Sequence, residues 1–299
     1  MSRRASALVY ATLVLVMLFW AGNSIVARAL HGQISPFSLA FCRWAIASLL
    51  LLPFAWPKLV ADRSQILKQW RSVLFLGVIG VGCYNTLLYY GLQFTTASNA
   101  LLIQASTPLF VLILNYVFFG TRPTSLIIIA VLVSALGVLV VVFHADPAAM
   151  LALKFGAGDA LVLAAAVAWA LYTALLRLRP AIHALSFLAA TFVVGAIAVL
   201  PAAVREYELH SVTMTSDLLL GIFYVATFPS VLAFLLYNGA VDKIGGGAAG
   251  QMLSLQPVFG ALLASLILGE PLHGYHLVGI VIIFSGIGLS LGNTHQVPR

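Results

Sequence analysis

The chain has 299 residues, of which 62% are hydrophobic and only 8% charged, with a formal net charge of +7. Soluble domains carry about 25% charged residues and about 45–50% apolar ones. A water-soluble globule is therefore excluded, and with it the nucleic-acid partner that a basic chain would otherwise suggest. Each membrane-crossing helix uses about 20 apolar residues and a short connection, so the length accommodates about ten crossings and no soluble domain.

In chain order, apolar runs bounded by charge, proline or glycine predict helices over 7–29, 36–56, 71–92, 97–119 and 124–143. A second set follows over 156–178, 182–204, 217–239, 246–268 and 274–292. The two longest connections are 57–70 and 205–216. With the N-terminus in the cytoplasm, the inside segments carry Arg3, Arg4, Lys58, Arg63, Lys68, Arg71, Arg122, Arg177, Arg179, Lys243 and Arg299. The outside segments carry only Arg28, Lys154 and Arg205. The positive-inside rule thus places both termini in the cytoplasm. Arg3 and Arg4 read as cytoplasmic anchors rather than as a cleaved signal. Cys42 and Cys83 fall within apolar runs and belong to no metal or disulfide spacing.

The chain repeats itself at a period of about 149 residues. Trp20-Ala21 matches Trp169-Ala170, Arg28 matches Arg177, and Leu52-Pro53 matches Leu200-Pro201. Further along, Tyr90-Gly91 answers Asn238-Gly239, Pro108 answers Pro257, Gly120 answers Gly269, and Gly137 answers Gly286. Five helices per repeat is an odd number, so the second copy enters the membrane from the opposite side. Charge gives the same result. The connection after helix 2 holds Lys58, Asp62, Arg63, Lys68 and Arg71, whereas its mate holds Arg205, Glu206, Glu208 and Asp217. Inverted repeats are the usual basis of alternating access, with the substrate site near the midplane between the halves. The expected domains are 7–143 and 156–292.

The second repeat reads Leu255-Gln256-Pro257-Val258-Phe259-Gly260-Ala261-Leu262-Leu263, then Leu268-Gly269-Glu270-Pro271-Leu272. The first carries Phe19-Trp20-Ala21-Gly22-Asn23-Ser24, Phe41-Cys42-Arg43-Trp44, Tyr90-Gly91-Leu92 and Thr107-Pro108-Leu109-Phe110. Over about residues 8–292 the sequence resembles the EamA-type repeats of the drug/metabolite transporter superfamily. Glu270 departs from strict repetition, because Thr121 stands in its place in the first repeat. The resemblance implies an all-α integral membrane protein, with ten transmembrane helices as two inverted five-helix repeats around a central cavity. That cavity would be lined by helices 1, 3, 4, 6, 8 and 9. By overall likeness the chain is most similar to bacterial exporters of aromatic amino acids.

Polar groups inside membrane helices are costly and mark candidate sites, although many serve packing alone. Pro108 and Pro257 lie near the centres of helices 4 and 9. There each would free the carbonyl four residues back, at Gln104 and Leu253, or form a kink that shapes packing or gates. Trp20 and Trp169 are equivalent mid-helix residues. Asn23 and Tyr172 follow them by three positions and share their faces. Tyr84, Asn85 and Tyr89 in helix 3, Tyr237 and Asn238 in helix 8, and Gln104, Gln251 and Gln256 in helices 4 and 9 complete an aromatic and amide set. Such a set suits a planar apolar body with polar ends, such as a zwitterionic amino acid; plain packing is the alternative for each single ring.

Arg43 is the charge clearly within a span, roughly 10 Å from the outer end by the helical rise. It is expected as a structural anchor, paired with a carboxylate, a polar loop or a helix C-terminus, with Asp159 and Glu270 on the same side; direct substrate contact is the alternative. No Asp, Glu or His is predicted at the midplane, which favours a facilitative or loosely coupled carrier. The glycine run Gly245–Gly250 lacks the strand and Lys-Ser/Thr ending of a phosphate loop. No metal, cofactor, nucleic acid or obligate protein partner is expected; the partners are a small-molecule substrate and the lipid bilayer. The functional expectation is a bacterial-type inner-membrane exporter of small neutral or zwitterionic metabolites, aromatic amino acids foremost. A broad exporter of drugs or other metabolites is the alternative, and an integral membrane enzyme would need clustered catalytic groups that the sequence lacks.

Overall fold

The computed structural model describes residues 3–30, 32–95, 100, 103–143, 146, 156–209, 214–268 and 273–293; among them every regular element is helical. The first half contains α1 (Arg3–Ala29), α2 (Pro36–Lys68), α3 (Trp70–Gly91), α4 (Thr107–Phe119) and α5 (Ser125–Val142). The second contains α6 (Ala157–Leu178), α7 (Ala184–Leu209), α8 (216–244), α9 (246–268) and α10 (Gly274–Asn293). Among the described residues seven helical stretches are long and apolar enough to cross a bilayer, one of them the bent stretch Ser216–Leu263 that contains α8 and most of α9. Thr107–Phe119 and Gly274–Ser290 are apolar but shorter.

Two connections differ from the sequence expectation. The segment 57–70 is not a loop, because α2 continues to Lys68 and only Gln69 separates it from α3. Beyond Pro57 the sequence holds no further proline and no glycine to stop the helix. At 33 residues α2 is about 50 Å long, against a hydrocarbon core of about 30 Å, so its charged end stands clear of the membrane. The second difference is the absence of a loop between α8 and α9. Gly245 alone leaves helical geometry, at φ 82° and ψ 157°, a conformation that glycine adopts without a Cβ penalty.

Two sets of equivalent helices, α2–α7 and α5–α10, pack as antiparallel pairs. Near one end of the α2–α7 pair, Asp62 Oδ2 accepts from the His183 N–H (3.0 Å) and from Ser186 Oγ (2.6 Å). At the opposite end Glu206 Oε2 accepts from the Phe37 N–H at 3.0 Å. Each helix thus supplies a carboxylate to the unsatisfied N-terminal donors of its partner. In the α5–α10 pair, a Cβ on Gly137 would lie 2.8 Å from Gly279 O, and one on Gly286 would lie 2.6 Å from Ala130 O. Small residues therefore let these backbones touch, as membrane helices require when apolar burial alone gives no driving force. Large apolar side chains such as Phe54, Ile197 and Leu266 remain 72%, 62% and 82% exposed and form the lipid-facing exterior.

Candidate functional site

The interior is organised by two π-helical turns, Gly77–Cys83 in α3 and Thr227–Leu232 in α8, at matching places in the two halves. A π-turn widens the helix and redirects its backbone groups, and such turns are frequent at functional sites. Pro229 lies in the second turn. Its carbonyl accepts from Trp20 Nε1 at 2.9 Å and from Arg43 Nη2 at 3.2 Å. The neighbouring Ser230 Oγ donates to Val225 O at 2.7 Å and accepts from Arg43 Nε at 2.6 Å. In the first turn Gly80 provides the flat surface on which Tyr172 rests; a Cβ there would lie 2.1 Å from the ring.

Arg43 is 1% exposed. Its Nη1 also faces Asn23 Oδ1, Asn85 Oδ1 and Tyr89 OH at 3.1, 2.9 and 3.0 Å. All of these partners are neutral, and no carboxylate among the described residues lies within salt-bridge distance of it. The carboxylate named as one expected partner is thus absent from its contacts: α2 carries the guanidinium into the polar centre of the first half and across to α8. Of the carboxylates expected near it, Asp159 instead bonds Thr95 Oγ1 and the Gly156 N–H, and Glu270 lies outside the described residues.

Beside this polar centre lies a continuous aromatic cluster. Trp20 and Trp169 meet edge to face with ring centroids 5.0 Å apart, so the two repeats touch through equivalent residues. Tyr84 and Tyr237 lie 4.9 and 5.5 Å from the Trp169 ring. Phe234 packs on Trp20, Trp44, Trp169 and Phe192. Edge-to-face and offset rings at these separations gain stabilisation beyond their buried area.

A pair of hydrogen bonds repeats across the halves with its partners exchanged. Tyr89 OH donates to Asn23 Oδ1 at 2.8 Å between α3 and α1, and Tyr172 OH donates to Asn238 Oδ1 at 2.9 Å between α6 and α8. At a spacing of 149 residues Asn23 corresponds to Tyr172 and Tyr89 to Asn238, one residue from the Tyr90–Asn238 match of the bare sequence, so each half keeps the bond with the residue types reversed.

Two narrow adjoining hollows occupy the interface between the halves. One, about 350 Å³ of atom-free space, is bordered by Tyr84, Gln104, Trp169, Ser254, Gln256 and Pro257. The other, about 320 Å³, is bordered by Trp20, Asn23, Arg43, Asn85, Phe234 and Gln256, and shares Tyr84 and Trp169 with the first. Tyr84, Gln104 and Gln256 stay half-buried, while the tryptophans and asparagines around them are buried. Tyr84 OH donates to Gln104 Oε1 at 3.0 Å.

Of the sequence candidates, Trp20, Asn23, Tyr84, Asn85, Gln104, Trp169, Gln256 and Pro257 line these hollows. Tyr89, Tyr172, Tyr237 and Asn238 stand behind them, with Tyr237 OH 3.1 Å from Thr173 Oγ1. Gln251 is apart, because its Nε2 donates to Gly286 O at 3.0 Å and ties α9 to α10. Pro108 and Pro257 each follow a break in the regular α-helical pattern rather than causing one within it. Each is the second residue of a helical segment, Thr107–Phe119 or Gln256–Leu268, where no N–H is needed. A turn at Ala105–Ser106 precedes one, and a 3₁₀ turn at Met252–Leu255 precedes the other. Trp44, Phe192, Pro229, Ser230 and Phe234 were not candidates. The Pro229-Ser230 pair inside an apolar run was the available signal for that part of the site.

The model of the EamA-like transporter family matches this sequence twice, over residues 7–143 and 156–292. The chain belongs to the EamA-like transporter family. It is therefore a multi-pass membrane transporter. It is 26% identical to an uncharacterized transporter of Bacillus subtilis, YyaM, over 97% of this chain and 95% of that protein. An uncharacterized transporter of Archaeoglobus fulgidus is 27% identical over 95% and 97% of the two chains. A probable terminal-alkyne amino-acid exporter of Streptantibioticus cattleyicolor is 26% identical over 93% and 91%. A solved crystal structure covers 100% of both chains at a TM-score of 0.75 and 18% identity, a likeness of fold.

Proposed function

We propose that this EamA-like transporter is an inner-membrane exporter of small zwitterionic metabolites with an aromatic body, aromatic amino acids foremost. It crosses the membrane ten times with both termini inside, and its two halves exchange inward- and outward-open arrangements around a shared site. The observation that carries the reading is the Trp20–Trp169 contact between equivalent residues of the two halves, flanked by Tyr84, Gln104 and Gln256. A planar ring fits between aromatic faces, and the amides bond polar ends without demanding net charge. The hollows are narrow and shared by both halves, so cargo enters only when the halves separate, as alternating access requires. The probable terminal-alkyne amino-acid exporter among the relatives supports an amino-acid cargo, without bearing on its aromatic body.

Flux of labelled phenylalanine, tyrosine and tryptophan from liposomes containing the purified protein tests this reading, with leucine and a hydrophobic cation as comparators. Preference for the aromatic amino acids is expected. Equal transport of all five compounds would point to a broad drug and metabolite exporter, and preference for the cation would overturn the zwitterion assignment.

A further inference from the structure

Within the interface the first half contributes a buried cation, and the second half has no counterpart. The residue matching Arg43 is Thr191, whose Oγ1 bonds Phe187 O and Leu188 O of its own helix. Burying an unpaired ion is costly, and neutral hydrogen bonds relieve only part of that cost. Arg43 has five N–H donors. Nε is taken by Ser230, and both Nη1 hydrogens are covered by three acceptors. Nη2 has only Pro229 O, which leaves one of its hydrogens without an acceptor among the described residues. A second donor beside it is also unmet. Asn85 turns its Oδ1 to the guanidinium, and its buried Nδ2 has no partner. Arg43 and Asn85 border the same hollow as Trp20 and Trp169.

We infer that Arg43 and Asn85 form a carboxylate-binding subsite, so that the cargo must carry one carboxylate beside its aromatic body. The inference rests on the proposed export of zwitterionic metabolites and names the group by which they are held. The unused Nη2 hydrogen and the Asn85 amide supply a donor for each carboxylate oxygen, and the charge of Arg43 makes its bond a charge-assisted one. A monoanion balances the single buried charge, whereas a phosphate monoester would leave excess negative charge in an apolar site. The carboxylate also relieves the unpaired cation, so the occupied site is stabilised where the empty one is strained electrostatically. Because Arg43 also reaches Ser230 and Pro229 of the other half, a carboxylate bound through its unused donors sits at a link between the halves.

The test uses the full-length protein in liposomes and three compounds with the same ring: phenylalanine, phenylpropionate and phenethylamine. Labelled phenylalanine flux should be inhibited by phenylpropionate, and phenethylamine should compete at least tenfold more weakly. Arg43→Gln should lose roughly tenfold or more of the phenylalanine flux, consistent with loss of a charged hydrogen bond. Asn85→Asp provides a readout independent of transport. A carboxylate built beside Arg43 should raise the melting temperature of the detergent-purified protein and abolish phenylpropionate inhibition. Equal competition by phenethylamine and phenylpropionate, or a lowered melting temperature in Asn85→Asp with inhibition intact, would overturn the subsite. Failure of the aromatic reading looks different. In that case leucine and other carboxylates would move as well as phenylalanine, while Arg43→Gln still removed their flux.

Discussion

Replacing Gly80 by alanine should disable the support for Tyr172 with little change in composition. An alanine Cβ would stand 2.1, 2.4 and 2.7 Å from Cδ2, Cγ and Cε2 of the ring. Ordinary carbon contact begins at about 3.5 Å, so the ring must retreat by about 1.4 Å. It has little space to do so, because Trp169 and Phe234 lie against it at centroid distances of 5.2 and 5.9 Å. Overpacking of this kind costs about 1–3 kcal/mol. Displacing the hydroxyl from Asn238, now 2.9 Å away, adds about 1 kcal/mol. The combined loss is about 2–4 kcal/mol. Gly82→Ala is the internal control, since it lies in the same π-turn and its Cβ would meet Ala198 Cβ at an ordinary 3.5 Å. Thermal unfolding of the purified variants should place Gly80→Ala well below Gly82→Ala, and phenylalanine efflux should fall with it. Combining Gly80→Ala with Tyr172→Ala should melt no lower than Tyr172→Ala alone, because the clash disappears with the ring and its Cγ. Equal melting temperatures for the two alanine variants would refute the packing argument.

Trp20→Ala and Trp169→Ala should each lower aromatic flux while leaving expression intact; wild-type resistance to toxic aromatic analogues in cells carrying either variant would count against the aromatic site. Pro108→Ala and Pro257→Ala allow the preceding breaks to become continuous helix and should slow turnover, measured as initial efflux rate at saturating substrate. Asp62→Asn and Glu206→Gln weaken the mutual capping of α2 and α7. Hydrogen exchange should quicken at the first turn of α7 in the former and of α2 in the latter, with the α5–α10 pair unaffected.

Much of the architecture was legible because burial in lipid forces it. A run such as 125–142 has no other use for so many apolar side chains, and recurring landmarks such as Trp20 and Trp169 carry the duplication. The helix ends were less legible. Residues 58–68 look like a loop because they are charged, yet charge on a helix that has left the membrane costs nothing, and α2 continues. The partners of Arg43 were hidden for a related reason. Position along α2 suggested an outer anchor, but its partners come from α1, α3 and α8, and sequence distance says nothing of their convergence. The π-turns leave no periodic signature at all. They show only through what they enable, the Gly80–Tyr172 contact and the doubly used carbonyl of Pro229.

The exchanged Asn–Tyr bonds set the smallest fragment that the halves can trade. A chimera carrying the α1 sequence in place of α6 would oppose Asn23 to Asn238, two short side chains that leave a gap where the tyrosine reached across. The converse graft would force Tyr172 against Tyr89 in a space sized for one ring. Moving α1 together with α3 keeps the bond whole. The heritable module is thus the interlocked helix pair, and drift at either position is viable only when its mate changes too.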